Sequence, residues 1–296
     1  MITCLALSPA LDVTYLVPSV EVGRIHRPHT VLRNAGGKAL NVARATAVLG
    51  GEAHAVAALG GRVGMLVADL LEASGIPLAA VETGGETRTC LTIAADDAEG
   101  LTEFYEPAAP LADGVVRAAV GLLPPGGLVV LAGSIPPLDL DLLVDLLRGR
   151  RLVIDTHGAA LAALIDRADP EIVKVNRTEA AALVGSPEDD PLEHLAAALR
   201  ERSGGTVVVT DGTAGSLAVD ERGMHRAVPD PVRGRYAVGS GDSFFAGLLV
   251  GLERGDALPD ALLLAAASGS ANAQVPGAAV FTLEHVAESR ARIRGA

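Results

Sequence analysis

Four short apolar runs rich in β-branched residues recur through the second half of the chain: Leu128-Val129-Val130-Leu131, Leu152-Val153-Ile154-Asp155, Ile172-Val173-Lys174-Val175 and Thr206-Val207-Val208-Val209. Strands this apolar have no polar face to turn to water, so they belong in a parallel sheet covered on both sides. The stretches Asp139 to Leu147, Ala159 to Ile165 and Leu192 to Arg200 carry the helical spacing that supplies the cover. An α/β fold with a central sheet and helices on both faces follows. The N-terminal third differs. Residues 12–32 and 88–106 alternate polar and apolar, as in Thr87-Arg88-Thr89-Cys90-Leu91-Thr92-Ile93, with a turn-like Asp96-Asp97-Ala98-Glu99-Gly100. They read as a small sheet outside the main one, either an edge decoration or a lid over the carboxyl ends of the strands, where ligands of such sheets bind.

A chain of 296 residues, 49% hydrophobic and without an evident linker or repeat, is expected to form one domain over 1–296. Its formal net charge of −12 argues against a nucleic-acid or anionic-membrane partner and leaves a small molecule as the better fit. Cys4 and Cys90 make neither a disulfide framework nor a CxxC metal pair, which suits a reducing cytosol. Asp12 interrupts the apolar N-terminus, which lacks the basic start of a signal peptide. Two charge-free stretches, Ala118 to Leu138 and Ala261 to Leu283, are broken by prolines and, in the second, also by Asn272 and Gln274, so no membrane span and a cytoplasmic location are expected.

Chemistry concentrates in glycine turns. Val238-Gly239-Ser240-Gly241-Asp242-Ser243 precedes Phe244, Phe245, Leu248, Leu249 and Leu252 at helical spacing, so a carboxylate sits in the first turn of an anchored helix. Free N–H groups there can meet an anion; alternatively Ser240 or Asp242 simply caps the helix. Asn34-Ala35-Gly36-Gly37-Lys38-Ala39-Leu40-Asn41 opens another helix with Lys38 and Asn41 on one face, suited to a phosphate or a hydroxyl. It matches neither GxxxxGK[ST] nor strand-GxGxxG-helix, which disfavours a dinucleotide-dependent oxidoreductase. Asn176-Arg177-Thr178-Glu179 is either a capping box or a water-mediated Mg²⁺ site. Thr210-Asp211-Gly212-Thr213-Ala214-Gly215 follows a strand where a nucleotide could lie, and also reads as a turn into Ser216-Leu217-Ala218-Val219.

In this order the motifs resemble the ribokinase-like (PfkB) family of carbohydrate kinases, nearly end to end. The resemblance implies a ribokinase-like fold, a mostly parallel sheet with a small β-sheet lid at about 12–32 and 88–106, with ATP and Mg²⁺. Gly239-Ser240-Gly241-Asp242 is similar to the family's second signature, which makes Asp242 the catalytic base and the amides of the turn an anion hole. Gly36, Gly37, Lys38 and Asn41 are similar to the first, which holds the sugar. Asn176 and Glu179 resemble the N-x-x-E element linked to Mg²⁺ and phosphate. Lys174, Asn176, Thr210, Gly212 and Gly215, with Ser268 and Asn272 from the small-residue stretch Ala265 to Ala273, are the implied ATP contacts.

Ser8-Pro9-Ala10-Leu11-Asp12-Val13-Thr14-Tyr15, Thr87-Arg88 and Gly133-Ser134-Ile135-Pro136 are similar to the branch containing 1-phosphofructokinase, tagatose-6-phosphate kinase and the minor 6-phosphofructokinase. Asp12 and Ser134 are then substrate contacts, Asp12 to hydroxyls, and Arg88 with Lys38 binds the phosphate already on the sugar. A planar guanidinium suits that task. Ala39, Cys90, Val175, His157 and Pro137-Leu138 depart from the family's usual residues. The expectation is direct in-line transfer from MgATP to fructose 1-phosphate, tagatose 6-phosphate or fructose 6-phosphate, with a homodimer through the lid. A free-sugar or nucleoside kinase of this fold and a non-catalytic sugar-phosphate sensor are the rivals.

Overall fold

The computed structural model describes residues 1–293. Along the chain the strands are β1 (Ile2–Ala6), β2 (Ala10–Val17), β3 (Thr30–Gly36), β4 (Ala53–Leu59), β5 (Leu78–Glu82), β6 (Arg88–Ala95), β7 (Leu101–Tyr105), β8 (Leu128–Ala132), β9 (Leu152–Asp155), β10 (Ile172–Asn176), β11 (Thr206–Thr210), β12 (Ser216–Asp220) and β13 (Gly223–Ala227). The helices are α1 (Lys38–Val48), α2 (Gly61–Ala73), α3 (Asp113–Gly121), α4 (Leu140–Leu147), α5 (Gly158–Arg167), α6 (Arg177–Val184), α7 (Leu192–Ser203), α8 (Ser240–Glu253), α9 (Leu258–Ala273) and α10 (Leu283–Arg292).

The main sheet runs β13-β12-β11-β10-β9-β8-β1-β4-β5, parallel from β11 to β5 and antiparallel at the β12 and β13 edge. Period-2 alternation splits each strand between two cores. Ile2, Cys4 and Ala6 of β1 face α1, α8 and α9, whereas Leu5 and Leu7 face the layer of α3 to α7. On the first face, α8 and α9 pack nearly backbone to backbone. A Cβ at Gly247 would stand 2.9 Å from Ala265 Cα, and one at Gly251 would stand 2.8 Å from Ala261 Cβ.

A second sheet, β3-β2-β6-β7, departs from the carboxyl ends of β1 and β5. One of its faces, with Leu11, Val13 and Tyr15, packs on the body. The opposite one carries Asp12, Thr14, Cys90, Thr92 and Glu103 towards a cavity. This is the ribokinase-like arrangement, with a difference inside the segment read as extended: residues 18–29 form a loop between β2 and β3. No described helix is long and apolar enough to cross a membrane. The charge-free stretches instead run from α3 through a loop into β8, and from α9 into the following loop.

Candidate active site

The carboxyl ends of the parallel strands deliver the polar groups. Asp155 closes β9 and is wholly buried, with Lys174 of β10 donating to its Oδ2 at 2.6 Å and Lys38 of α1 to its Oδ1 at 3.1 Å. Burial pushes the Asp155 carboxyl up, but the two ammonium groups outweigh it and hold it below the ordinary carboxylate value. The same carboxylate is the main reason that Lys38 stays protonated well above its usual range.

Both glycine turns are shaped by what crowds them. A side chain at Gly36 would collide with the Asp12 carboxyl, and Gly37, the N-cap of α1 at φ 85°, leaves room for the Ser8 carbonyl. Gly239, at φ 81°, is the N-cap of α8, and a Cβ on it would lie 2.6 Å from that of Ala278. Neither Ser240 nor Asp242 caps the helix, so the simple capping alternative is not realised. The carboxylate is free to face inward, where Oδ2 of Asp242 accepts from Asn41 Nδ2 at 2.9 Å. Burial raises the pKa of Asp242, with Lys38 pulling it back and Asp155 adding to the rise. Asp12 is pushed up to about 6, chiefly by desolvation, against a lowering by Arg44.

Two cavities meet here. One, of about 560 Å³, lies between the two sheets and is lined by Asp12, Gly37, Lys38, Asn41, Arg88, Ser134, Gly239 and Asp242 among others. A second, of about 640 Å³, is lined by Asn176, Thr210, Gly212, Gly215 and Ser240, with apolar walls from Phe244, Ala266 and Val232. Lys38, Lys174, Ala237 and Gly241 line both. Asp242 lines the first cavity next to Gly241, which lines both, in the first turn of α8.

The structure brings most of the expected residues to these cavities and leaves four off the lining. Gly36 serves by making room for Asp12. Glu179 turns back to the Asn176 backbone N–H at 2.9 Å while Asn176 Oδ1 accepts from the Glu179 N–H, completing a capping box on α6. Ser268 is buried on α9 and donates to the Leu264 carbonyl at 2.8 Å. Asn272 is also buried: it donates to the Val238 carbonyl at 2.8 Å and to Ser240 Oγ at 3.1 Å, and accepts from the Ala279 N–H at 2.7 Å. Its contacts brace the turn from behind, and the stretch Ala265 to Ala273 meets the cavity through Ala266, Gly269, Ser270 and Ala273 instead. Ala39 is buried in α1 off the cavity, whereas Cys90 lines it. Arg88 reaches the same cavity with its guanidinium on the carbonyls of Glu106 (3.2 Å) and Ser8 (3.3 Å).

Sequence reasoning missed Asp155, Arg44 and Arg235. Asp155 had a readable signal, a carboxylate ending an apolar strand one strand over from Lys174. Arg44 had another, a charge in the middle of an Ala- and Val-rich helix one turn beyond Asn41. Arg235 lines the first cavity and donates to the Ala95 carbonyl of the second sheet, a pairing that no local pattern announces.

Comparison with known proteins agrees with this geometry. The model of the pfkB family of carbohydrate kinases matches residues 8–285. The ATP-dependent 6-phosphofructokinase isozyme 2 of Escherichia coli is 32% identical over 279 residues, 90% of either chain. The crystal structure of Escherichia coli phosphofructokinase-2 with substrates and products superposes with a TM-score of 0.91 at 30% identity over 98% of both chains. A possible 1-phosphofructokinase from Thermotoga maritima shares the fold, with a TM-score of 0.87 at 21% identity over 100% of this chain and 98% of that one. The chain belongs to the pfkB family of carbohydrate kinases, in the branch that holds the phosphofructokinases.

Proposed function

We propose that the protein transfers the γ-phosphoryl group of ATP to a hydroxyl of a ketohexose phosphate, with fructose 6-phosphate the first candidate and tagatose 6-phosphate and fructose 1-phosphate next. The observation that carries the reading is Asp242, which lines the first cavity at the N-terminus of α8 beside Gly241, a residue common to both cavities. Fructose 6-phosphate leads because the Escherichia coli relative at 32% identity is an ATP-dependent 6-phosphofructokinase, and Escherichia coli phosphofructokinase-2, at 29% identity, has been crystallised with fructose 6-phosphate. In this mechanism Asp242 takes the proton of the attacking hydroxyl, for which a carboxyl with a raised pKa is suited. Developing charge on the transferring group meets the amides of residues 239–242 and the ammonium groups of Lys38 and Lys174. Asp12 and Ser134 hold the acceptor, and Arg88 its phosphate.

Asn176 lines the second cavity, and it and Glu179, whose capping box uses Asn176 Oδ1 and Glu179 Oε2, would hold a Mg²⁺ ion through water rather than directly. Held there with ATP, such an ion would supply neutralisation of phosphate charge. The second sheet acts as a lid that excludes water, two lids pair in a homodimer, and the enzyme works in the cytoplasm. A tetrameric inhibited form is known for the Escherichia coli phosphofructokinase-2, so assembly is within the repertoire of such chains. The test is MgATP turnover with fructose 6-phosphate, tagatose 6-phosphate, fructose 1-phosphate, fructose and ribose. Turnover of a phosphorylated ketose at least about tenfold above the free sugars is expected, equivalent to about 1.4 kcal/mol of discrimination. Preference for a free sugar would overturn the acceptor assignment, and no ATP consumption with any of them would favour a sensor.

A further inference from the structure

Arg44 is buried to 8% exposure, and every hydrogen bond of its guanidinium goes to the machinery around Asp242. Nη2 donates to Asn41 Oδ1 at 2.8 Å and to the Ala278 carbonyl at 3.0 Å, Nη1 to the Ala35 carbonyl at 2.6 Å, and Nε to the Ala279 carbonyl at 3.2 Å. Ala35 leads into the Gly36-Gly37 turn. Ala278 is the residue against which Gly239 is pressed. Ala279 holds φ at 54°, a conformation that a residue with a side chain adopts at a cost. One planar fork thus joins both glycine turns.

Its effect on Asn41 is directional. A guanidinium has only donors, so it compels the amide oxygen of Asn41 to face it and leaves the NH₂ to donate to Asp242 Oδ2. With Arg44 gone, the amide oxygen loses the donor that fixes it, and only the carboxylate's preference for the NH₂ group remains to orient Asn41. Replacing the guanidinium alone leaves four buried oxygens without their donor, so an apolar substitute costs stability as well as alignment.

We propose that Arg44 is the positioning residue of the active centre: it fixes the Asn41 amide, and through it the Asp242 carboxylate, while tying together the two backbone turns that face acceptor and phosphoryl group. The proposal rests on Asp242 being the base. Arg44 touches neither substrate and acts by geometry. A lysine, a single ammonium at the end of a flexible stem, cannot reach all four partners in one plane.

The experiment measures kcat and KM of the full chain with MgATP and fructose 6-phosphate for Arg44→Lys, Arg44→Met, Asn41→Ala, the Asn41→Ala/Arg44→Met double variant and Asp242→Asn, each normalised to folded protein by near-UV circular dichroism. Misplacement of about 1 Å costs on the order of 10²-fold, so both Arg44 variants are expected to lose about that much in kcat. KM for ATP should stay within about threefold. The double variant should be no slower than its slower parent, because both substitutions remove one device. Should Arg44→Met fail to fold, Arg44→Lys and Asn41→Ala decide by themselves. If Asp242→Asn is inactive but Arg44→Lys keeps wild-type kcat, or the double variant loses the product of the single losses, the positioning role is overturned and the base assignment stands. If Asp242→Asn itself turns over normally, the base assignment falls and takes this role with it.

Discussion

In the proposed mechanism Asp242 must be ionised in a place that disfavours the ion. Burial raises its pKa, with Lys38 and the Asn41 amide recovering only part of the cost. Asp242→Asn removes the unfavourable charge at nearly constant shape. Turnover should fall on the order of 10² to 10⁴-fold, while Tm should rise by about 2–4 °C for each kcal/mol recovered. A variant that is slower but less stable would contradict this account of the site. Asp12 makes the same point through pH. Its folded-state pKa, about 6, lies above its ordinary 3.8, so the native protein binds the extra proton between those values. Stability from this group is therefore present at low pH and lost as pH rises through about 6, while kcat/KM for the acceptor, if Asp12 binds it as proposed through the carboxylate, should move the opposite way. A pH series of thermal melts beside initial rates checks both signs. Asp242 and Lys38 were legible because glycine turns at helix starts advertise them, and Arg88 because Thr87-Arg88 resembles a family motif. The Asp155 bridge and the Arg44 fork were not, since each exists only once elements distant in sequence are brought together.

Helices α8 and α9 explain why a chain this rich in alanine and glycine packs tightly. Intrinsic propensity says that Gly→Ala in a helix stabilises by up to about 1 kcal/mol. At Gly247 the added Cβ would meet Ser268 Oγ at 2.7 Å and the Leu264 carbonyl at 2.9 Å. Overpacking of this kind costs about 1–3 kcal/mol and should win, so Gly247→Ala is expected to lower the midpoint of urea unfolding. Gly121→Ala, in α3 with nothing near its Cβ, should leave the midpoint unchanged or raise it. The opposite signs separate packing from propensity. Element reading from sequence worked where β-branched residues were dense, as in β8 to β11. It passed over β1, β4 and β5: Ala53-His54-Ala55-Val56-Ala57-Ala58-Leu59 has weak strand preference, and its alanines are set by the space left under α1. The extended reading of 18–29 failed for the converse reason: polar alternation continues through a loop that no partner strand holds.

At the scale of the whole molecule, the second sheet and its loop carry apolar side chains that the body does not cover. Val22 and Ile25 are 104% and 83% exposed in the loop between β2 and β3, and Phe104 is 59% exposed on β7. Elsewhere the large exposed hydrophobics are scattered, which is ordinary. Val22, Ile25 and Phe104 are the surface that a second copy would cover in the proposed lid-to-lid homodimer. Because a self-complementary interface uses the same patch twice, one substitution strikes it twice. Ile25→Asp combined with Val22→Asp should convert the chain from dimer to monomer in sedimentation velocity at micromolar concentration. Neither residue belongs to a core, so the thermal midpoint of the body should hardly move. With the lids unpaired, KM for the acceptor should rise more than KM for ATP, since the acceptor cavity alone lies between the sheets. A wild-type chain that sediments as a monomer, or a double variant that remains dimeric, would remove the lid from the interface; equal rises in both KM values would detach the interface from acceptor binding.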